Sequence, residues 1–378
     1  MADHAKLSAS SSHRWLNCGP SVRLEETFEN KTSTFAEEGT AAHAMSEHKL
    51  RKFLKIKTRK PKSKYDSQEL EFYTDAYVGY ACELIAEAKT RSSDPLVLVE
   101  QRLDYSHYAP EGFGTGDLVI VSDGILDVVD LKYGMAKVSA NDNPQLKLYA
   151  LGALDIFDLL YDIKTVRMTI CQPRLDSIST FALSVDELIQ WAETELRPKA
   201  ALAFRGEGDY VSGEHCRYCR AKSQCRERGN ANLQLAQLDF KLPALLTEDE
   251  MARVLAQANE LKVWAKDVWE YAEKEAINGK KWPGYKLIEG TSRRKYMDED
   301  KIAEQVLATG DYNETQIYTK NLLGITAMTQ LLGKQQFKNL LGNLCIAPPG
   351  KPSLVVELDK HDEWNPLDSA RRDFEDAI

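Results

Sequence analysis

The chain has 378 residues, 43% hydrophobic and 28% charged, enough for one large core or two domains of ordinary size, so most of it is expected to fold. Its formal charge of -9 at pH 7 excludes a protein that coats nucleic acid by bulk positive charge, though not local contact with it. No apolar run approaches the roughly 20 residues that cross a bilayer, and no charged-then-apolar secretory signal opens the sequence, so a cytoplasmic protein without a membrane partner is expected.

Residues 1 to 38 are polar and turn-rich, with Trp15 and Cys18 in a context that looks anchored. Gly39 and Thr40 then open a predicted helix, TAAHAMSEHKLRKFL, in which Thr40 can cap free amides and Ala41, Ala42 and Ala44 favour helix. His43 and Glu47 lie four apart and share its face. From Lys49 to Lys64 the run KLRKFLKIKTRKPKSK carries nine basic residues and no acid. It reads either as a solvated helix end and loop or as a rim that contacts phosphates, with Lys52, Lys55, Lys57 and Arg59 as candidates. A second helix is predicted from about Ser67 to Lys89, on the apolar stripe Leu70, Tyr73, Tyr77, Tyr80, Leu84 and Ile85. Pro95 introduces a strand, LVLVEQRLDY, that contains Glu100.

The segment GTGDLVIVSDGILDVVDLK, Gly114 to Lys132, reads as a hairpin turning at Ser122, Asp123 and Gly124. Asp117 lies on its first arm, and alternation on the returning arm puts Asp130 and Lys132 on one face with Leu131 opposite. Two carboxylates and an ammonium meeting at a sheet edge can hold a divalent cation and still offer an amine to a reaction. The plainer reading is a solvated strand end with an ion pair. Helix resumes at Pro144 with Gln145 and Tyr149 one turn apart, and VRMTICQPRL is the next strand, ending at Gln172 to Arg174 within reach of a substrate. The sheet is expected to end near Leu175, and the helix VDELIQWAETELRPKAALAFRG to lie over it. This order predicts an α/β domain with a mixed central sheet flanked by helices.

Seven cysteines, at 18, 82, 171, 216, 219, 225 and 345, are too uneven a set for a disulfide framework. Cys216, Cys219 and Cys225 have C-x2-C-x5-C spacing, within reach of one centre. Beyond about Leu238 the character changes. A long helix is predicted from Thr247 to Ile277, then a hairpin or strand, KKWPGYKLIEGTSRRKYMD, short helices through Leu341, and an extended piece, PPGKPSLVVEL. The division expected is 1–238 and a mainly helical accessory or DNA- or partner-binding region, 239–378.

Taken together, His43, Asp117, Asp130, Lys132, Gln145 and Tyr149 resemble the motifs of the PD-(D/E)XK nuclease superfamily. The nearest match is its exonuclease-like branch, with the iron-sulfur nucleases of CRISPR adaptation and the nuclease modules of bacterial helicase-nuclease complexes. GTAAH ends in His43, GTGD supplies Asp117, DLK supplies Asp130 and Lys132, and QLKLY supplies Gln145 and Tyr149. The resemblance covers roughly residues 7 to 230, and the whole chain also looks like an uncharacterised phage-encoded family.

The resemblance implies a restriction-endonuclease-like core and a metal-dependent DNA exonuclease, in phage recombination or DNA processing. Mg²⁺ or Mn²⁺ would be held by Asp117, Asp130, His43 and the Leu131 carbonyl. Lys132 would orient or deprotonate the attacking water, Gln145 and Tyr149 would contact the scissile strand or hold Lys132, and Glu100 is an accessory candidate. Lys147 and Arg174 join the candidate DNA contacts. Cys18 with Cys216, Cys219 and Cys225 would bind a structural 4Fe-4S cluster, zinc with Cys18 or His215 as fourth ligand being the rival. Single-stranded DNA ends and a single-strand annealing or other recombination protein are the partners implied. The alternative is a catalytically weak DNA-binding or assembly protein that recruits a recombination partner.

Overall fold

The computed structural model of the chain describes residues 5–29, 33–157, 160–236, 248–286, 307–308, 328, 333–341 and 344–345. It has two units, Met1–Ile288 and Glu289–Ile378. In the first, the short helices α1 (Ser12–Asn17) and α2 (Ser21–Glu26) precede two long ones, α3 (Thr34–Phe53) and α4 (Gln68–Arg91). Strands β1 (Leu96–Asp104), β2 (Phe113–Ser122) and β3 (Ile125–Leu131) follow, then α5 (Pro144–Phe157), then β4 (Thr165–Gln172) and β5 (Ser177–Ser184). The chain continues through α6 (Val185–Trp191), α7 (Arg197–Arg205), α8 (Arg226–Ala236) and α9 (Glu248–Ile277). The second unit contributes α10 (Lys334–Leu341).

The five strands lie side by side in chain order. Neighbours are antiparallel except β3 and β4, which are parallel and therefore joined by the crossover helix α5. Asp123 and Gly124 carry positive φ angles of 40° and 77°, the left-handed pair that a two-residue hairpin turn demands, and Ser122 pairs with Ile125 across it.

The pleat sends alternate side chains to opposite faces. Val119, Val121, Leu126 and Val128 are buried against Leu146, Ala150 and Leu151 of α5, while Leu118, Ile120, Val129 and Leu131 are buried against Tyr77, Ala81 and Leu84 of α4. A sheet covered on both faces has no polar side to keep, so the central strands read as near-continuous apolar runs rather than clean alternations. Each such side chain contributes about 1.5–3 kcal/mol on burial, so this double layer fixes the ends of β1, β2 and β3.

The mixed sheet between helix layers is a restriction-endonuclease-like α/β architecture, as expected, and the described residues beyond 226 are mainly helical. Three local expectations change. The sheet does not end near Leu175, because β5 adds an edge strand whose alternating half-exposed pattern in SISTFALS is a weak apolar signal. Helix α3 starts at Thr34 rather than Thr40, because the Ser33 side chain accepts from the Ala36 amide, while Thr40 is interior and donates to the Ala36 carbonyl. The long helix α9 meets α8 through charge as well as apolar surface, since the buried Arg228 pairs with Asp267 at 2.6 Å and Glu260 at 2.6 Å while Trp269 is exposed.

Of the hairpin or strand expected over 280–298, the described residues 280–286 form no strand and the rest lies outside the described residues, as do the extended piece and most of the short helices before it. Among the described residues no helix is long and apolar enough to cross a membrane.

Candidate metal centre

Asp117 sits where β2 leaves its glycine-containing first half, and its position is held by backbone. Its Oδ2 accepts from the Leu131 amide of the neighbouring strand at 2.6 Å, which leaves Oδ1 directed at α3. There the Nδ1 of His43 lies 2.9 Å away. Burial works against the imidazolium, but the charge and hydrogen bond of Asp117, with Asp130 adding, outweigh it and hold His43 up at about 9.

Glu100 completes the group. One ligand atom each from His43, Glu100 and Asp117 lie within 4.8 Å of one another, the single such cluster of His, Cys, Asp and Glu among the described residues. Glu100 reaches it from the interior of β1 by adopting φ 54°, a left-handed conformation that costs a residue with a Cβ about 1–2 kcal/mol. Strain held in place by a sheet is characteristic of functional positions. Burial, with the nearby Asp117 and Glu47 adding, pushes the Glu100 carboxyl up to about 7 against the opposing pull of His43 and Arg51. An imidazole nitrogen and two carboxylates suit a hard divalent cation such as Mg²⁺, and the nitrogen makes Mn²⁺ equally acceptable.

Asp130 lies beside this group, and a second hydrogen-bonded set holds it. Asn143 caps α5 by accepting from the Gln145 amide at 3.0 Å, with Pro144 as the first helical residue. The cap places Gln145 in the first turn, over the end of β3. Its Nε2 donates to Asp130 Oδ1 at 2.9 Å and to Tyr149 Oη at 3.2 Å, and its Oε1 accepts from Lys132 Nζ at 2.9 Å. Lys132 Nζ is also 2.8 Å from Asp130 Oδ2. Burial pushes the Asp130 carboxyl up, with Asp117 adding and Lys132 and His43 opposing. Tyr149 packs so closely over Gly114 that a Cβ there would stand 2.6 Å from its ring.

Leu131 lines the same small cavity as His43, Glu100 and Asp117, together with Ser46, Glu47, Leu50, Tyr77 and Val99. Ser46 and Tyr77 were invisible as site residues in the sequence, where they read as helix interior. Glu100 did carry a signal, as the one acid interrupting the apolar half of LVLVEQRL.

The candidate DNA contacts divide. Lys147 is not at a surface: it is buried, pairs with Asp142 and lies 4.5 Å from the Trp191 ring centre, because its place on α5 faces α6. Arg174 is engaged with Glu38 at 3.4 Å, Glu69 at 3.3 Å and the Tyr133 ring. Gln172, expected within reach of substrate, is buried and instead holds the loop after β3, accepting from the Val138 amide at 2.7 Å and donating to the Ala136 carbonyl at 2.8 Å.

Within the basic run, Lys49 pairs with Glu71 and Asp75, Arg51 with Glu47, Lys60 with Glu71 and Lys64 with Glu37. Lys52, Lys55, Lys57 and Arg59 are exposed and have no ion partner among the described residues. The first three line an open groove of about 480 Å³ with His48, Ile56 and Thr58. His48 and Lys52 lie about 140° and 180° around α3 from His43 at 3.6 residues per turn, so this groove opens on another side of the helix.

The cysteine expectation is overturned. All seven cysteines are free thiols, and Cys18, Cys216, Cys219 and Cys225 do not converge: no cluster of three or more ligand atoms within 4.8 Å among the described residues includes a sulfur. His215, the rival zinc ligand, turns its Nε2 to the Val211 carbonyl at 2.9 Å. Burial, with Glu25 adding, pushes the Cys219 thiol up to about 12. Neither a 4Fe-4S cluster nor zinc is supported. The early and late segments are joined by Glu25 instead, which is buried, pairs with Arg14 at 2.6 Å and accepts from the Arg220 amide at 2.7 Å, while Arg14 donates to the Tyr218 carbonyl at 3.3 Å.

Among solved structures, the chain is similar to one described as "Crystal structure of SSO0001", at 11% identity and a TM-score of 0.24, over 57% of this chain and 96% of that one. A likeness that distant carries nothing about chemistry. Residues 4–362 match the family described as "Protein of unknown function (DUF2800)", and it is to this family that the chain, with its His43, Glu100 and Asp117 centre, belongs.

Proposed function

We propose that the chain is a metal-dependent deoxyribonuclease that hydrolyses phosphodiester bonds at DNA ends. The observation that carries this reading is the meeting of His43, Glu100 and Asp117 beside the Asp130, Lys132 and Gln145 set. A bound Mg²⁺ or Mn²⁺ would supply a water acidic enough to attack near neutral pH and a positive charge against the phosphate oxygens. The chain's own residues do the rest. Asp117 and Glu100 present oxygens from the sheet, and His43 presents a nitrogen from α3. Gln145 keeps the Lys132 ammonium at the edge of the centre, where it can donate to the oxygen of the attacking water or face developing negative charge. Asp130 is a third carboxylate, available when Lys132 turns toward a phosphate.

Residues 1–238 would carry the chemistry, with 239–378 as an accessory region that contacts DNA or a partner. The exposed Lys52, Lys55, Lys57 and Arg59, on another side of α3 from the centre, would be a separate contact for single-stranded DNA. A place in phage recombination, and an annealing protein as partner, rest on the motif resemblance alone.

One observation favours a second reading. Both oxygens of Asp130 are engaged, Oδ1 by Gln145 and Oδ2 by Lys132, as they would be in a protein that binds DNA without cutting it. Labelled linear and circular DNA incubated with the purified chain in Mg²⁺, Mn²⁺ or EDTA separates the two. The nuclease gives end-dependent products that EDTA abolishes; tight binding without products would replace it with the binding protein.

A further inference from the structure

The cavity that His43, Glu100 and Asp117 line has about 10 Å³, roughly the space one water molecule needs. His43, Ser46, Glu47 and Leu50 line it from α3, at the spacing that shares one helix face, and Tyr77 lines it from α4. Glu100 and Asp117 close it from the sheet. Two of these residues present an anomaly. The Ser46 and Tyr77 hydroxyl oxygens are fully buried and have no hydrogen-bond partner among the described residues. Ser46 does not even make the bond to a carbonyl one turn back that a helical serine commonly takes.

A buried hydroxyl left unpaired is costly, and natural proteins rarely keep two beside each other without a ligand for them. Each can both donate and accept. The residues facing them in the cavity include two carboxylates of the metal group. A single water there would find two hydroxyls on one side and Glu100 and Asp117 on the other, within the two to four partners such a molecule requires.

We propose that Ser46 and Tyr77 are positioning residues for the metal centre. Their hydroxyls hold a water on its helix side, and that water aligns the Glu100 and Asp117 carboxylates for the cation. This rests on the reading of His43, Glu100 and Asp117 as a divalent-cation site. The role matches that of the outer hydrogen bonds by which metal ligands are commonly oriented, whose loss weakens metal binding about 10- to 100-fold.

The test is Mn²⁺ binding to the full chain, followed by calorimetry and by the electron spin resonance of free Mn²⁺, in wild type, Tyr77→Phe and Ser46→Ala. Each variant removes one oxygen and no other group. The result expected is a loss of Mn²⁺ affinity of about tenfold or more in each variant, with the metal-free melting temperature no lower than wild type. Wild-type Mn²⁺ affinity in both variants overturns the proposal while leaving the metal centre standing, whatever happens to the melting temperature. A wild-type chain that takes up no Mn²⁺ removes the centre and this inference together. Should Tyr77→Phe fail to fold, the Mn²⁺ affinity of Ser46→Ala decides between the same outcomes.

Discussion

Glu100 faces Asp117 across the β1–β2 ladder at the one position where that ladder is unpaired. Val99 pairs with Leu118 and Gln101 with Gly116, and between them Glu100 turns to φ 54°. The turn brings a second carboxylate to within 4.8 Å of the His43 and Asp117 ligand atoms. The sheet therefore holds two like charges together in the absence of any cation, at the cost of backbone strain and carboxylate repulsion.

Glu100→Gly should remove both costs at once. Relief of the left-handed conformation is worth about 1–2 kcal/mol, so the metal-free melting temperature is expected to rise while Mn²⁺ affinity falls at least tenfold. Glu100→Gln keeps the backbone strain and should bind metal as poorly with a smaller gain in stability. Scanning calorimetry in EDTA and Mn²⁺ titration check the pair, and a Gly variant less stable than the Gln variant would contradict the strain argument.

Proton release should accompany cation binding at this site. His43 titrates near 9 instead of 6.5 and Glu100 near 7 instead of 4.5, and both must lose their protons to become ligands. Mn²⁺ affinity should therefore climb from about pH 6 to about pH 9 and then level off. Stability of the metal-free chain runs the other way. Both groups hold a proton more tightly folded than unfolded, so the contribution of His43 is full below 6.5 and lost as pH rises through 9, and that of Glu100 is full below 4.5 and lost through 7. Melting temperatures in EDTA should fall over a range in which Mn²⁺ affinity rises.

Gln145 touches Asp130, Lys132 and Tyr149 at once. Gln145→Ala should leave Mn²⁺ binding at His43, Glu100 and Asp117 near wild type while lowering the cleavage rate about 100-fold or more, as loss of a positioned proton-handling group does. Lys132→Ala should lose as much turnover, and it also leaves the buried Asp130 half-paired. Cleavage rates at saturating Mn²⁺ read out both variants.

Glu25 does the work for which a cysteine-bound cluster would otherwise be invoked. It ties the α1–α2 segment to the 214–220 segment through Arg14 and the Arg220 amide. Breaking a buried pair by removing one partner costs about 3–5 kcal/mol, so Glu25→Ala should shift the urea midpoint sharply downward, whereas Cys216→Ser should move it little.

The groove of Lys52, Lys55 and Lys57 is testable without cleavage. In EDTA, changing all three to Gln should weaken binding of a single-stranded oligonucleotide and reduce the magnitude of its log-log salt slope by about 2, at roughly 0.7 per lost phosphate contact. An unchanged slope would leave these lysines as a solvated helix end.

Local sequence determined those features of this protein that depend on few neighbours. The Asp123-Gly124 turn, the α4 start after Ser67, the α5 start at Pro144 and the α/β order were all legible, because turn chemistry, capping and periodicity are properties of short segments. Tertiary structure decided the rest. Cys216, Cys219 and Cys225 have a spacing that permits a shared centre, but the fold gathers no three ligand atoms that include a sulfur among the described residues. Lys147 reads as a solvated cation until α5 lays it against Trp191. Glu100 acquires its place only because a ladder register sets it opposite Asp117 and a strained φ turns it inward. Distances between side chains remote in sequence follow from register and packing, and no local pattern encodes them.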